Sequence, residues 1–204
     1  ENFAYTNETY YKLAEAFMPG PLTVVLPKKD TVPSEVTGGL DTVAVRCPSH
    51  PTARAIISAA GVPIAAPSAN TSGKPSPTRA EHVAADLDGK VDMIIDGGEC
   101  EIGLESTIVM VNSDESLTLL RPGGITYDAL CCVCETVNIS SSIEGVLSEN
   151  ERPLSPGMKY KHYSPKAEVF MAVGNINAFC NYCNEHKNDF DFALCYDEDE
   201  VNLS

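Results

Sequence analysis

Two arginines and one loop crowded with short polar side chains are the groups whose types and spacing could do chemistry. The loop reads Pro67-Ser68-Ala69-Asn70-Thr71-Ser72-Gly73-Lys74-Pro75-Ser76-Pro77. It leaves a predicted strand and enters a predicted helix, the place where open α/β sheets bind ligands. Ser68, Asn70, Thr71, Ser72 and Ser76 supply small donors, and Gly73 lets a backbone approach closely. The N-terminus of the following helix favours an anion such as phosphate. The same residues also make ordinary surface loops, so composition leaves both readings open. Thr42 and Arg46 stand four apart on a predicted strand and so project from one face. A guanidinium there suits a carboxylate or phosphate, which it grips through two parallel bonds, but it could equally face water at a sheet edge. Arg121, just before Pro122-Gly123-Gly124, has the same two readings. Ser106, in Glu105-Ser106-Thr107, could touch a ligand or merely cap a strand start. It lacks the G-x-S-x-G elbow of a hydrolytic nucleophile. The glycine pairs fit neither a P-loop nor a dinucleotide fingerprint. His50, His82 and His186 are expected on helix surfaces.

The eight cysteines, Cys47, Cys100, Cys131, Cys132, Cys134, Cys180, Cys183 and Cys195, do not read as a secreted disulfide framework. Several lie in apolar runs, where a thiol acts as a small hydrophobe. Cys180 and Cys183 have redox or zinc spacing, but no second pair follows and His186 alone completes no site, so no protein-bound metal is expected. The 204 residues carry 14 Lys+Arg against 29 Asp+Glu, a net charge of −15, which argues against a broad nucleic-acid or anionic-lipid surface. A local basic pocket stays allowed. No run reaches the roughly 18 apolar residues of a membrane span, and the cytoplasm is the expected compartment.

The positioning elements follow from periodicity and breakers. Helices are predicted over Asn7–Phe17, His50–Ala60, Arg79–Leu87, Ile125–Cys134 and Asn177–His186. The third is expected to start with a capping box of Thr78 and Glu81. Strands are predicted over Leu22–Leu26, Thr42–Cys47, Val62–Ala66, Met93–Ile95, Glu168–Val173 and Phe190–Tyr196, with Thr107–Val111 and Leu117–Arg121 forming a hairpin. The reading is an α/β protein with a twisted, mixed, open sheet, then a linker and the start of a second α/β domain.

Six blocks carry a resemblance. They are Phe17 to Thr23, Thr42 to Arg46, Ala66 to Thr78, Gly103 to Val109, Arg121-Pro122-Gly123, and Ser155 to Pro165. In this order they resemble the YrdC-like threonylcarbamoyl-AMP synthases in the two-domain form. The resemblance implies ATP as substrate, with Mg²⁺, together with L-threonine and bicarbonate or CO₂, yielding threonylcarbamoyl-AMP and pyrophosphate for modification of tRNA adenosine. Downstream tRNA-modification proteins are the implied partners, with neither direct RNA contact nor a membrane.

By the same resemblance Thr42, Ser68, Asn70, Ser76 and Arg121 match ATP contacts, as do His162 and Tyr163 of the linker. Arg46, Ala66 and Ser106 match threonine contacts. No general base is identified. The implied domains are 1–145, a catalytic domain lacking its N-terminal part, 146–165, a linker, and 166–204, an incomplete C-terminal α/β domain. The family's P-T-D-T-like and K-x-R stretches do not occur ahead of Glu1, so this chain is expected to be an impaired fragment. Two alternatives stand beside the synthase: an RNA-binding module without catalysis, and another carbamoyl transferase of the same fold. Ser68 and Asn70 are expected near Thr42 and Arg46 around one concave pocket. The linker, with Lys159, Lys161 and two tyrosines among its prolines, is expected to dock across that pocket.

Overall fold

The computed structural model describes residues 1–143, 168–189 and 192–195. The chain divides into two compact units, Glu1–Tyr163 and Ser164–Ser204. In the first unit, helix α1 (Glu8–Phe17) starts where the Asn7 side chain accepts a bond from the Tyr10 amide. The Pro19-Gly20-Pro21 breaker then turns the chain into strand β1 (Leu22–Pro27). A short helix α2 (Ser34–Thr37) precedes β2 (Thr42–Arg46), and α3 (Pro51–Ala60) and α4 (Ala80–Leu87) follow. The predicted hairpin of β3 (Thr107–Val111) and β4 (Leu117–Arg121) forms. Helix α5 (Tyr127–Cys131) and strand β5 (Val137–Ile139) complete the first unit. In the second unit the described element is α6 (Ile176–Glu185), which buries Cys180 and Cys183.

Among the described residues the sheet has the order β2-β1-β3-β4-β5. β1 pairs antiparallel with β2 and parallel with β3, and β4 pairs antiparallel with β3 and parallel with β5. The mixed sheet is therefore as expected. One face packs Leu22, Val24 and Leu26 with Val109, Val111, Leu117 and Leu119 beneath Leu13 of α1 and Leu130 of α5. The other face carries a smaller cluster of Val25, Ile108 and Leu120. Beyond that cluster the second face opens: Ala44 and Arg46 of β2 are exposed, and neither α3 nor α4 has a buried residue.

Several expected elements are corrected. Val62–Ala66 is not a buried strand: among the described residues the segment has no strand pairing, and Val62 is 60% exposed. Met93–Ile95 is likewise unpaired, with Met93 76% exposed. β-branched sequence suits a pleated surface but cannot supply the partner that makes a strand. Glu168–Val173 and the described residues 192–195 are also not strands. The expected capping box is absent because Arg79 takes the N-cap position without a side-chain bond, while Thr78 faces the His82 ring at 3.4 Å. Helix α5 is shorter than predicted and starts at Thr126, whose hydroxyl accepts from the Ala129 amide. Cys131, Cys132 and Cys195 are exposed rather than packed as small hydrophobes.

Thr107 ties the sheet to the turn after β4. It is fully buried, and its hydroxyl donates to the Ile125 carbonyl at 2.8 Å while accepting from the Ile125 amide at 2.9 Å. Thr107→Val should therefore leave the part-buried Ile125 amide and carbonyl without this partner, costing about 1–3 kcal/mol. Urea unfolding at fixed temperature checks this, and a loss below about 0.5 kcal/mol would show the pair to be replaceable.

Candidate functional site

The polar cluster of the first unit forms where β2 and β4 end and β1 and β3 begin. Period two puts Thr23, Ser106 and Ile108 on one face, and Thr23 stands opposite both Arg46 and Ile108. The Thr23 and Ser106 hydroxyls are 2.8 Å apart. Arg46 is steadied from the Pro19-Gly20-Pro21 turn: its Nε donates to the Gly20 carbonyl at 3.1 Å, while the Gly20 amide donates to the Cys47 carbonyl at 2.8 Å.

Arg121 reaches the same place through an irregularity. The register of β3 and β4 shifts between Ile108 and Val109, leaving Arg121 opposite Ile108. Such bulges re-aim a side chain. The Arg121 Nε and Nη2 donate to the Ser106 carbonyl at 3.1 and 3.0 Å, and Nη2 also donates to the Ser106 hydroxyl at 3.1 Å. Its Nη1 pairs with Glu105 Oε2 at 3.0 Å. Ser76, from the polar loop, donates to Glu105 Oε1 at 2.9 Å.

The electrostatics point to an anion. Arg46 is exposed as a residue, yet its guanidinium is desolvated enough to lower its pKa, and the charge of Arg121 lowers it further. Guanidinium groups stay protonated at neutral pH, so two like charges share this edge and a carboxylate or phosphate between them would relieve the repulsion. The hollow beside Ser76, Gly103 and Glu105 holds about 60 Å³. Drug-sized ligands occupy roughly 300–1,000 Å³, so a nucleotide would lie across the open face. A larger hollow of about 310 Å³ is lined by Arg79, Glu81, Asp96 and Glu99. It is a poorer phosphate site because three carboxylates, Glu81, Asp96 and Glu99, line it beside Arg79.

Thus the structure brings together Arg46, Ser106, Arg121 and Ser76 of the residues picked from sequence. Thr42 shares Arg46's face but lies at the other end of β2, opposite Pro27, at about 13 Å for a rise of ~3.3 Å per residue. Ala66 and Ser68 are exposed on their loop. The Asn70 amide nitrogen donates to the Thr71 and Lys74 carbonyls at 3.0 Å, shaping that loop from within, while its buried carbonyl oxygen has no partner among the described residues. His162 and Tyr163, with the linker expectation, lie outside the described residues. Thr23 and Glu105 were not singled out by sequence reasoning. The register of β1 against β2 was the signal for Thr23, and nothing local signals Glu105.

The polar loop is clamped to α4. Asp86 pairs with Lys74 through one oxygen and accepts from the Thr71 amide at 3.1 Å through the other. The Lys74 bond first, and the Thr71 amide next, hold the Asp86 carboxyl below its ordinary value. A depressed carboxylate contributes order fully above about pH 4 and loses it as pH falls through the lowered value. Asp86→Ala should accordingly speed amide exchange at Thr71 at neutral pH without moving β3 amides. Unchanged exchange at Thr71 would remove the clamp.

The comparisons agree on one family. The family model for the Sua5, YciO and YrdC proteins, described as Telomere recombination, matches residues 1–123. A second, described as Threonylcarbamoyl-AMP synthase, C-terminal domain, matches residues 125–196. A threonylcarbamoyl-AMP synthase of Bacillus subtilis is 51% identical over 86% of this chain and 50% of its own length. One from Pyrococcus abyssi is 51% identical over 79% of this chain and 47% of its own. The chain thus spans about half the length of these relatives. A crystal structure of Pyrococcus abyssi Sua5 complexed with L-threonine superposes with a TM-score of 0.81 at 45% identity, covering 93% of this chain and 56% of that one. With the sheet and both matched regions in accord, the chain belongs to the Sua5, YciO and YrdC family, in the form that carries the C-terminal domain of threonylcarbamoyl-AMP synthases.

Proposed function

We propose that the protein is an L-threonylcarbamoyladenylate synthase. It would combine ATP, L-threonine and bicarbonate or CO₂ into threonylcarbamoyl-AMP and pyrophosphate, for threonylcarbamoyl modification of tRNA in the cytoplasm. The observation that carries this reading is the proximity of the Arg46 and Arg121 charges at the sheet edge where Arg121 meets the Ser106 hydroxyl, in a chain 51% identical over the matched region to threonylcarbamoyl-AMP synthases. Arg46 would take the threonine carboxylate, with Ser106 and the backbone near Ala66 beside it. Arg121, Ser76, Ser68, Asn70 and Thr42 would hold ATP, and Mg²⁺ would arrive with the triphosphate. His162 and Tyr163 would reach the nucleotide from a linker over 146–165, between domains 1–145 and 166–204. A solved variant of the Pyrococcus abyssi protein has a histidine and the adjacent tyrosine both changed to alanine, the same pair of residue types.

A carbamate forms from a free amine and CO₂. Positioning and charge stabilisation can then supply most of the catalysis, and no side chain here is assigned as general base. Tests belong on protein expressed from the full coding sequence. Pyrophosphate release should require both threonine and bicarbonate; ATP turnover indifferent to threonine would overturn the reading. Arg46→Ala should weaken threonine more than ATP, by about 1.5–3 kcal/mol for a lost charge-assisted bond. Equal KM increases for the two substrates would reassign Arg46.

A further inference from the structure

Glu105 joins two segments that approach each other only through tertiary folding. Its Oε1 accepts from Ser76 on the loop ahead of α4, and its Oε2 pairs with Arg121 at the end of β4, at 2.9 and 3.0 Å. The Glu105 and Arg121 side chains are 27% and 33% exposed, so the pair is partly sheltered from water. An isolated exposed ion pair contributes little. This one differs because the same guanidinium is also held by the Ser106 carbonyl and hydroxyl, which leaves its plane little freedom. A carboxylate is a poor direct ligand for a phosphate, since the two repel. Its chemistry suits holding the cation and the hydroxyl that meet the anion.

We propose that Glu105 is a positioning residue for the nucleotide: it locks the Ser76 hydroxyl and the Arg121 guanidinium into one unit that binds a phosphate group together. The proposal rests on the assignment of Ser76 and Arg121 to ATP. A unit of this kind has a signature that separate contacts lack. Once Glu105 is removed, the Ser76 hydroxyl loses the Oε1 acceptor that ties it to Arg121, so deleting that hydroxyl as well adds little. Glu105→Gln keeps an oxygen for Ser76 but presents an NH₂ group that cannot pair with a guanidinium. Glu105→Asp keeps the charge on a shorter stem.

The test is a double-mutant cycle on protein expressed from the full coding sequence, with KM for ATP and for L-threonine read from pyrophosphate release. S76A and E105A should each raise the ATP KM by about tenfold or more, as expected for a charge-assisted bond. S76A/E105A should match the worse single variant within about twofold, the scatter of independent sites. E105Q should behave as E105A does, E105D should recover part of the loss, and the threonine KM should change far less in all five variants. Should E105A fail to fold, as judged by thermal unfolding, E105Q takes its place in the cycle. Multiplying effects of S76A and E105A, or equal losses for both substrates, would overturn the role of Glu105. A wild-type protein with no threonine-dependent pyrophosphate release would overturn the proposed function, and this inference with it.

Discussion

A Cβ atom at Gly123 would stand 2.3 Å from the Glu105 carbonyl oxygen and 2.5 Å from the Thr107 amide nitrogen, and the lack of one lets the turn after β4 press against the start of β3. The rest of the polar edge depends on that approach. Thr107 can then grip Ile125 through both backbone groups, and Arg121 can wrap the Ser106 carbonyl. Ser106 in turn meets Thr23, whose register places Arg46 on the same face. One side-chain-free position therefore sets the separation of two guanidiniums that belong to different strands. Gly20 makes a related approach at the other side, where a Cβ would lie 2.4 Å from the Phe17 carbonyl oxygen.

The local charge of this edge runs against that of the chain. A net charge of −15 makes a broad anionic partner surface unfavourable. Screening over roughly 8–10 Å nevertheless lets two arginines act on a ligand in direct contact. Glu105 brings one negative charge to the pair, through Arg121. Selectivity for a small anion then comes from donor geometry rather than from long-range attraction.

The polar loop spends much of its own chemistry on holding its shape. Lys74, the loop's basic residue, pairs with Asp86, and the Asn70 amide nitrogen serves the loop's carbonyls. Ser76 is the loop residue that reaches the β3 edge, through Glu105. Movement of α4 would carry the Thr71 and Lys74 region with it, since Asp86 sits on that helix.

Residue order alone determined the helices with clear breakers and caps, such as α1 behind Asn7 and α3 between Pro51 and Gly61, because their signals lie within a few residues. It determined the β3 and β4 hairpin for the same reason. It also marked Arg46, Ser76, Ser106 and Arg121, whose side chains suit anions wherever they stand. Tertiary structure decided the rest. Val62–Ala66 and Met93–Ile95 have strand-like residues but no pairing among the described residues, and a strand exists only through its neighbour. The β-bulge that turns Arg121 toward Ser106 and the bridging place of Glu105 are equally invisible in the chain. Each is a relation between segments distant in sequence, and such relations are set by register and close approach rather than by local preference.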